Sequence, residues 1–219
     1  MTLQDSSHIT LRDNGEPLVD LAHYGFAMEP IYYRQGFSAN PKMYLRKSVA
    51  DKLAVIQDSL PSGFRFKIWD GWRSREVQNT IYQHFYDKLQ QEHPNWDEKT
   101  LERETLVFVA PATNPVVIPP HATGGAVDLT LVDSQGKELD MGTEFDHTGP
   151  EAGLFYYEQN NLNPEVRENR KILREAMSDA GFATYAGEWW DFNYGNHYWA
   201  TVMGKTEAFY GEVLKSPSK

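Results

Sequence analysis

Between residues 46 and 60 the apolar positions Val49, Leu53, Ile56 and Leu60 recur at helical spacing, and Pro61-Ser62-Gly63 supplies the stop. The period then changes. Phe64, Phe66 and Ile68 alternate with Arg65 and Lys67, which predicts a half-buried strand running into Asp70-Gly71-Trp72-Arg73. Ser74 is placed to cap a following helix whose Val77, Ile81, Phe85 and Leu89 face the core. His93 to Ala110 reads as a further helical excursion leading into a Pro-rich loop, Pro111 to Pro120. Val127, Leu129 and Leu131 alternate with Asp128 and Thr130, so Asp128 stands near the start of a strand and on its other face. Asn163-Pro164 predicts a helix start, a capping side chain followed by Pro at the first turn; that helix carries Val166, Leu173 and Met177 and ends at Gly181. Glu188 to Ala200 reads as strand, with a turn near Tyr194-Gly195-Asn196. Helices and strands in mixed order, without regular β-α-β alternation, predict an α+β fold in one domain over residues 1–219, frayed from about residue 215.

Composition narrows the function. A chain of 219 residues is long enough for a real core, and it shows no internal repeat. Its formal net charge of −10 argues against nucleic acid and against an anionic membrane surface, both of which need clustered Lys and Arg. Cys is absent, which excludes disulfides and thiolate chemistry and leaves His, Asp and Glu as the donors for any metal. The segment from Met1 to Gly15 lacks the layout of a signal peptide, and no apolar run is long enough to span a bilayer, so a cytoplasmic protein is expected. Oligomeric state leaves no signal.

The candidate chemistry is concentrated in a few positions. His121 and Asp128 are seven positions apart with Gly124 and Gly125 between them, so a loop turning at the glycines and feeding a strand would converge them. Imidazole plus carboxylate suits zinc, at roughly 2.0–2.2 Å; the same two residues could simply hydrogen-bond. Glu188 precedes two tryptophans, a setting that desolvates a carboxyl and raises its pKa toward the range of general acid–base work. Asp191 falls on the opposite face of an ideal strand from Glu188, so a bulge or strand end is needed to bring both into one site. His197, past the Gly195 turn, is the alternative third ligand. Arg73 at a strand end can stabilise an oxyanion or pair with Asp70. Asp146 could bind a substrate ammonium group or cap the loop His147-Thr148-Gly149, and Asp70 is a second candidate for substrate contact. His8, His23, His84 and His93 read as surface or core histidines, and Tyr24, Phe26, Tyr32, Tyr33 and Phe37 as packing.

Asp-Gly-Trp-Arg at 70–73, His-x6-Asp at 121–128, Met-Gly-Thr-x-Phe-Asp at 141–146 and Glu-Trp-Trp at 188–190 occur in one order. That order, over roughly Tyr24 to Ala200, resembles the D-alanyl-D-alanine dipeptidases of the VanX type. The resemblance implies the small α+β zinc fold shared with some D,D-carboxypeptidases and the hedgehog signalling domain, a mixed antiparallel sheet flanked by helices. It implies one zinc ion held by His121 and Asp128, Glu188 as general base, Arg73 as oxyanion stabiliser and Asp146 as the contact to the substrate amino group. The family substrate is the free dipeptide D-Ala-D-Ala, cut in the cytoplasm.

Three positions depart from the family pattern. Asp191 stands where the third ligand is usually His, an oxygen-rich set that binds zinc more weakly or admits other divalent ions. Pro119 stands where the family often has Ser, and Asp-Gly-Trp-Arg-Ser replaces Asp-Gly-Tyr-Arg-Pro. Two alternatives follow: a non-catalytic or weakly active relative that binds metal or peptide, or a peptidase of the same fold acting on longer cell-wall peptides.

Overall fold

Every residue from Ala126 to Val132 is buried, Asp128 and Thr130 included. The alternation in this stretch predicted a strand with one covered face; the fold covers both, because the strand lies at the centre of a sheet. The computed structural model describes residues 9–109, 112–113 and 117–215. His8, part of the Pro-rich loop and the tail beyond Lys215 lie outside the described residues.

The strands are β1 (Thr10–Leu11), β2 (Leu18–Asp20), β3 (Ala27–Met28), β4 (Tyr44–Arg46), β5 (Arg65–Asp70), β6 (Ala126–Val132), β7 (Ala183–Thr184), β8 (Asp191–Asn193) and β9 (Glu207–Ala208). The α-helices are α1 (Ile31–Arg34), α2 (Lys47–Ser59), α3 (Arg75–Glu92), α4 (Glu98–Phe108), α5 (Tyr156–Gln159), α6 (Pro164–Asp179) and α7 (His197–Val202). A mixed five-stranded sheet runs β3-β5-β6-β8-β7, antiparallel except for β3 beside β5. Two small ribbons, β1-β9 and β2-β4, flank it. This is an α+β arrangement, as the mixed order of elements predicted.

The helices form where spacing and caps placed them. In α2, Val49, Leu53 and Ile56 are buried, and in α6 so are Val166, Leu173 and Met177. Asn163 caps α6, its side chain accepting from the backbone of Glu165 and Val166. Both helices pack on the main core with Phe66, Ile68, Leu129, Leu131 and Phe192 of the sheet. Ser74 caps α3 through Val77 N, and Ile81 and Phe85 join Tyr32 and Val109 in a second core. Among the described residues no helix is long and apolar enough to cross a membrane.

One expected element is different. The chain turns between Tyr185 and Trp190, and of Glu188 to Ala200 only Asp191–Asn193 is strand. From His197 the chain is helical, because Asn196 Oδ1 accepts from Trp199 N at 2.9 Å and starts α7. The aromatic residues that looked like strand face are buried at the turn instead; Trp189 is anchored there by its indole N–H donating to Thr143 Oγ1 at 2.8 Å.

Candidate active site and metal centre

Three aspartates stand in a row across the sheet. Asp128 on β6 is paired in register with Asp70 on β5 and with Asp191 on β8. Directly opposed residues share a face, so the three carboxylates are neighbours. The β5–β6 register shifts between Ile68 and Asp70, a bulge that re-aims Asp70 toward this row.

His121 reaches the row from a short 3-10 turn, Pro120–Thr123, that feeds β6 through Gly124. Gly124 is left-handed (φ +71°), a backbone conformation that favours glycine. The imidazole is oriented by its surroundings. Nδ1 lies 2.8 Å from the Gly71 carbonyl oxygen and 3.2 Å from Asp70 Oδ2, while Nε2 lies 3.5 Å from Asp128 Oδ1. Asp70, His121 and Asp128 each offer a ligand atom within 4.8 Å of the others. Asp70, however, sits on the Nδ1 side, behind the ring. With Nδ1 committed to Gly71, the nitrogen left available to a metal is Nε2, which faces Asp128.

A cavity of about 170 Å³ opens on this face, and Arg73, His121, Asp128, Asp146, Glu188 and Asp191 all line it. The turn before β8 resolves the strand-face conflict between Glu188 and Asp191: Glu188 precedes the strand, so the two share the cavity without a bulge in β8. Asp70 does not line it. Its Oδ2 accepts from Arg73 Nη1 at 2.9 Å. His197 begins α7 and is also outside the lining, which leaves Asp191 as the third candidate ligand.

Electrostatics distinguish these groups. Burial, then Asp191 and Asp128, holds the Glu188 carboxyl well above its ordinary value. Burial and Asp128 push both Asp146 and Asp191 up to about 7. Burial and Arg73 work against a charge on His121, but Asp128 and Asp70 outweigh them and hold its pKa at about 10. The cavity thus gathers more buried carboxyls than nearby cations can balance. An imidazole nitrogen turned toward the Asp128 carboxylate, in a pocket that Asp191 also lines and that is short of positive charge, fits a divalent cation.

Arg73 pairs with Asp70 and also faces the cavity, with Asp128 Oδ2 at 3.8 Å. Gln78 Oε1, buried on α3, accepts from its Nε at 2.6 Å, and the Tyr32 ring lies 5.1 Å beneath the guanidinium. Tyr32, read as packing, therefore belongs to the site: its hydroxyl also donates to Asp146 Oδ1 at 3.3 Å. Gln78 carried a signal, a polar residue beside Val77 on the core side of a helix; Tyr32 carried none. His23, His84 and His93, read as surface or core histidines, are exposed. The far wall of the cavity comes from Leu106 to Val109, at and just past the end of α4, and Tyr185 Oη spans to it by donating to Val107 O at 3.0 Å.

A family profile described as Peptidase_M15, D-ala-D-ala dipeptidase, matches residues 28–206. A D-alanyl-D-alanine dipeptidase of Synechocystis sp. is 28% identical over 235 aligned positions, covering 94% of this chain and 95% of that protein. Another from Enterococcus faecium is 29% identical over 149 positions, covering 65% of this chain and 66% of its own. Among solved structures, a mutant of the vancomycin-resistance D,D-pentapeptidase VanY in complex with Zn(II) overlaps 90% of this chain and 92% of its own length, at a TM-score of 0.44 and 16% identity.

Proposed function

This chain belongs to the Peptidase_M15 family of D-Ala-D-Ala dipeptidases, and we propose that it hydrolyses D-Ala-D-Ala, or a closely related D-amino-acid dipeptide, with the help of one divalent cation, zinc foremost. The observation that carries this reading is the convergence of Glu188, Arg73 and Asp146 with His121, Asp128 and Asp191 on one small cavity.

His121 Nε2, Asp128 and Asp191 would hold the cation. A divalent ion there supplies Lewis acidity, polarising the scissile carbonyl and lowering the pKa of an adjacent water toward about 7. Glu188 takes the proton of the attacking water at its carboxylate and returns it to the leaving amine; its raised pKa suits both steps. Arg73, fixed by Asp70 and Gln78, donates to the developing oxyanion. Asp146, across the cavity, accepts from the substrate ammonium group, and Tyr32 holds that carboxylate in place. Trp190 and Tyr185 line the cavity and exclude water from it. The small cavity favours a free dipeptide over a longer cell-wall peptide. We place the reaction in the cytoplasm, in a single domain, with no nucleic-acid or membrane partner.

The test is alanine release from D-Ala-D-Ala by purified protein, with zinc supplied and with chelator added. Chelator-sensitive release is expected. No release under either condition rejects D-Ala-D-Ala as the substrate, and no release from a panel of related D-amino-acid dipeptides rejects the proposal.

A further inference from the structure

The support behind Asp191 runs in one direction. The backbone N–H of Trp199, which can only donate, bonds to Asn196 Oδ1 at 2.9 Å. That leaves the Asn196 amide nitrogen to donate to Asn193 Oδ1, at 2.7 Å. The Asn193 amide nitrogen in turn donates to Asp191 Oδ1, at 2.9 Å. Each amide orientation is dictated by the one before it, starting from a peptide group whose polarity is not adjustable. Asn193 and Asn196 are 0% and 1% exposed, so solvent cannot replace either link.

The last link offers a donor. An ionised carboxylate is satisfied by it. A ligating imidazole carries its proton on the nitrogen remote from the metal and needs an acceptor there. His121 has such an acceptor in the Gly71 carbonyl; position 191 does not.

We infer that Asp191 is a ligand the fold is built to hold as a carboxylate, with Asn193 and Asn196 as positioning residues, and that the resulting one-nitrogen, oxygen-rich set lets oxygen-preferring divalent cations such as Mn²⁺ compete with Zn²⁺. This rests on the metal centre proposed above. Imidazole favours zinc over manganese, whereas carboxylate oxygen suits manganese; exchanging one imidazole for a carboxylate therefore narrows the preference. Asp191 sits directly across the sheet from Asp128, so the second oxygen donor is placed by strand pairing as well as by the amide relay.

Metal-free full-length protein is dialysed against equimolar Zn²⁺ and Mn²⁺, and bound ions are counted by mass spectrometry. In the wild type, Mn²⁺ is expected to fill at least about one site in ten, and Asp191→His to raise the Zn²⁺ to Mn²⁺ occupancy ratio about tenfold or more. Calorimetry with each ion then separates positioning from mere structure at Asn193. Asn193→Leu is expected to weaken metal binding about 10- to 100-fold in the wild-type background, and far less in the Asp191→His background, where the amide no longer faces a carboxylate. Wild type that excludes Mn²⁺, an unchanged ion ratio in Asp191→His, or an equal cost of Asn193→Leu in both backgrounds overturns the inference. Wild type that binds neither ion overturns the metal centre itself, and this inference with it.

Discussion

The Gly71 carbonyl oxygen, 2.8 Å from His121 Nδ1, determines which imidazole nitrogen faces Asp128. Gly71 follows the β5 bulge directly, so a backbone irregularity on one strand sets the tautomer of a side chain that arrives fifty positions later. A Cβ at Gly71 would meet the backbone oxygen of Tyr44 at 2.5 Å, which cannot swing away as a side chain would. Gly71→Ala should therefore shift this carbonyl and weaken metal binding about tenfold or more. Calorimetric titration with zinc checks it; unchanged affinity would show that Nδ1 needs no fixed acceptor.

Glu188→Gln keeps size and removes the base. Turnover of D-Ala-D-Ala is expected to fall by about 10² to 10⁴-fold, with metal content unchanged by mass spectrometry. Full hydrolysis by this variant would assign proton transfer to another group.

The metal-free protein should lose stability as pH rises. Asp146 and Asp191 hold their protons to about 7 in the folded chain against an ordinary value of 3.8. Their contribution is complete below about pH 4 and is lost as pH climbs through 7. His121, at about 10 against 6.5, adds a loss of the same sign over the higher window. Asp20, Asp51 and Asp97 have lowered values and the opposite sign, but they titrate below the ordinary carboxyl range. In chelator, Tm is expected to fall between pH 5 and 8. Added zinc should reverse the fall, with proton release on binding. A Tm that rises with pH in chelator would contradict the burial of these carboxyls.

Tyr32→Phe removes the hydroxyl that donates to Asp146 and keeps the ring under Arg73. KM for the dipeptide is expected to rise by about tenfold, the worth of one hydrogen bond to a charged group, with kcat less affected. Steady-state kinetics with D-Ala-D-Ala read this split; a loss confined to kcat would place Tyr32 in the chemical step instead.

Local signals carried much of this molecule. The helices α2, α3 and α6 form where apolar spacing, Ser74, Asn163 and Pro61 placed them, because caps and periodicity act within a few residues. His121 and Asp128 converge through the Gly124 turn for the same reason. What stayed hidden depended on distance or on irregularity. Tyr32 meets Asp146 across 114 positions, and no local pattern records such a contact. Asp70 moves behind His121 because of a bulge that leaves no mark on the alternation of Phe66 and Ile68. Trp189 and Trp190 are as buried as strand residues, so their apolar character does not distinguish the turn they occupy from a strand.

The two sides of the cavity come from unlike parts of the fold. Asp128 and Asp191 stand on paired central strands, whereas Leu106 to Val109 belong to the end of α4 and the residue after it, bridged to the other side by Tyr185. Substitutions at positions 106–109 can accordingly remould the outline a substrate must match while the acidic row keeps its register. On the proposed function, the outline of the substrate site and the groups that would act on the substrate are carried by separate parts of the chain, so a change at one helix end can alter the first with the sheet left as it is.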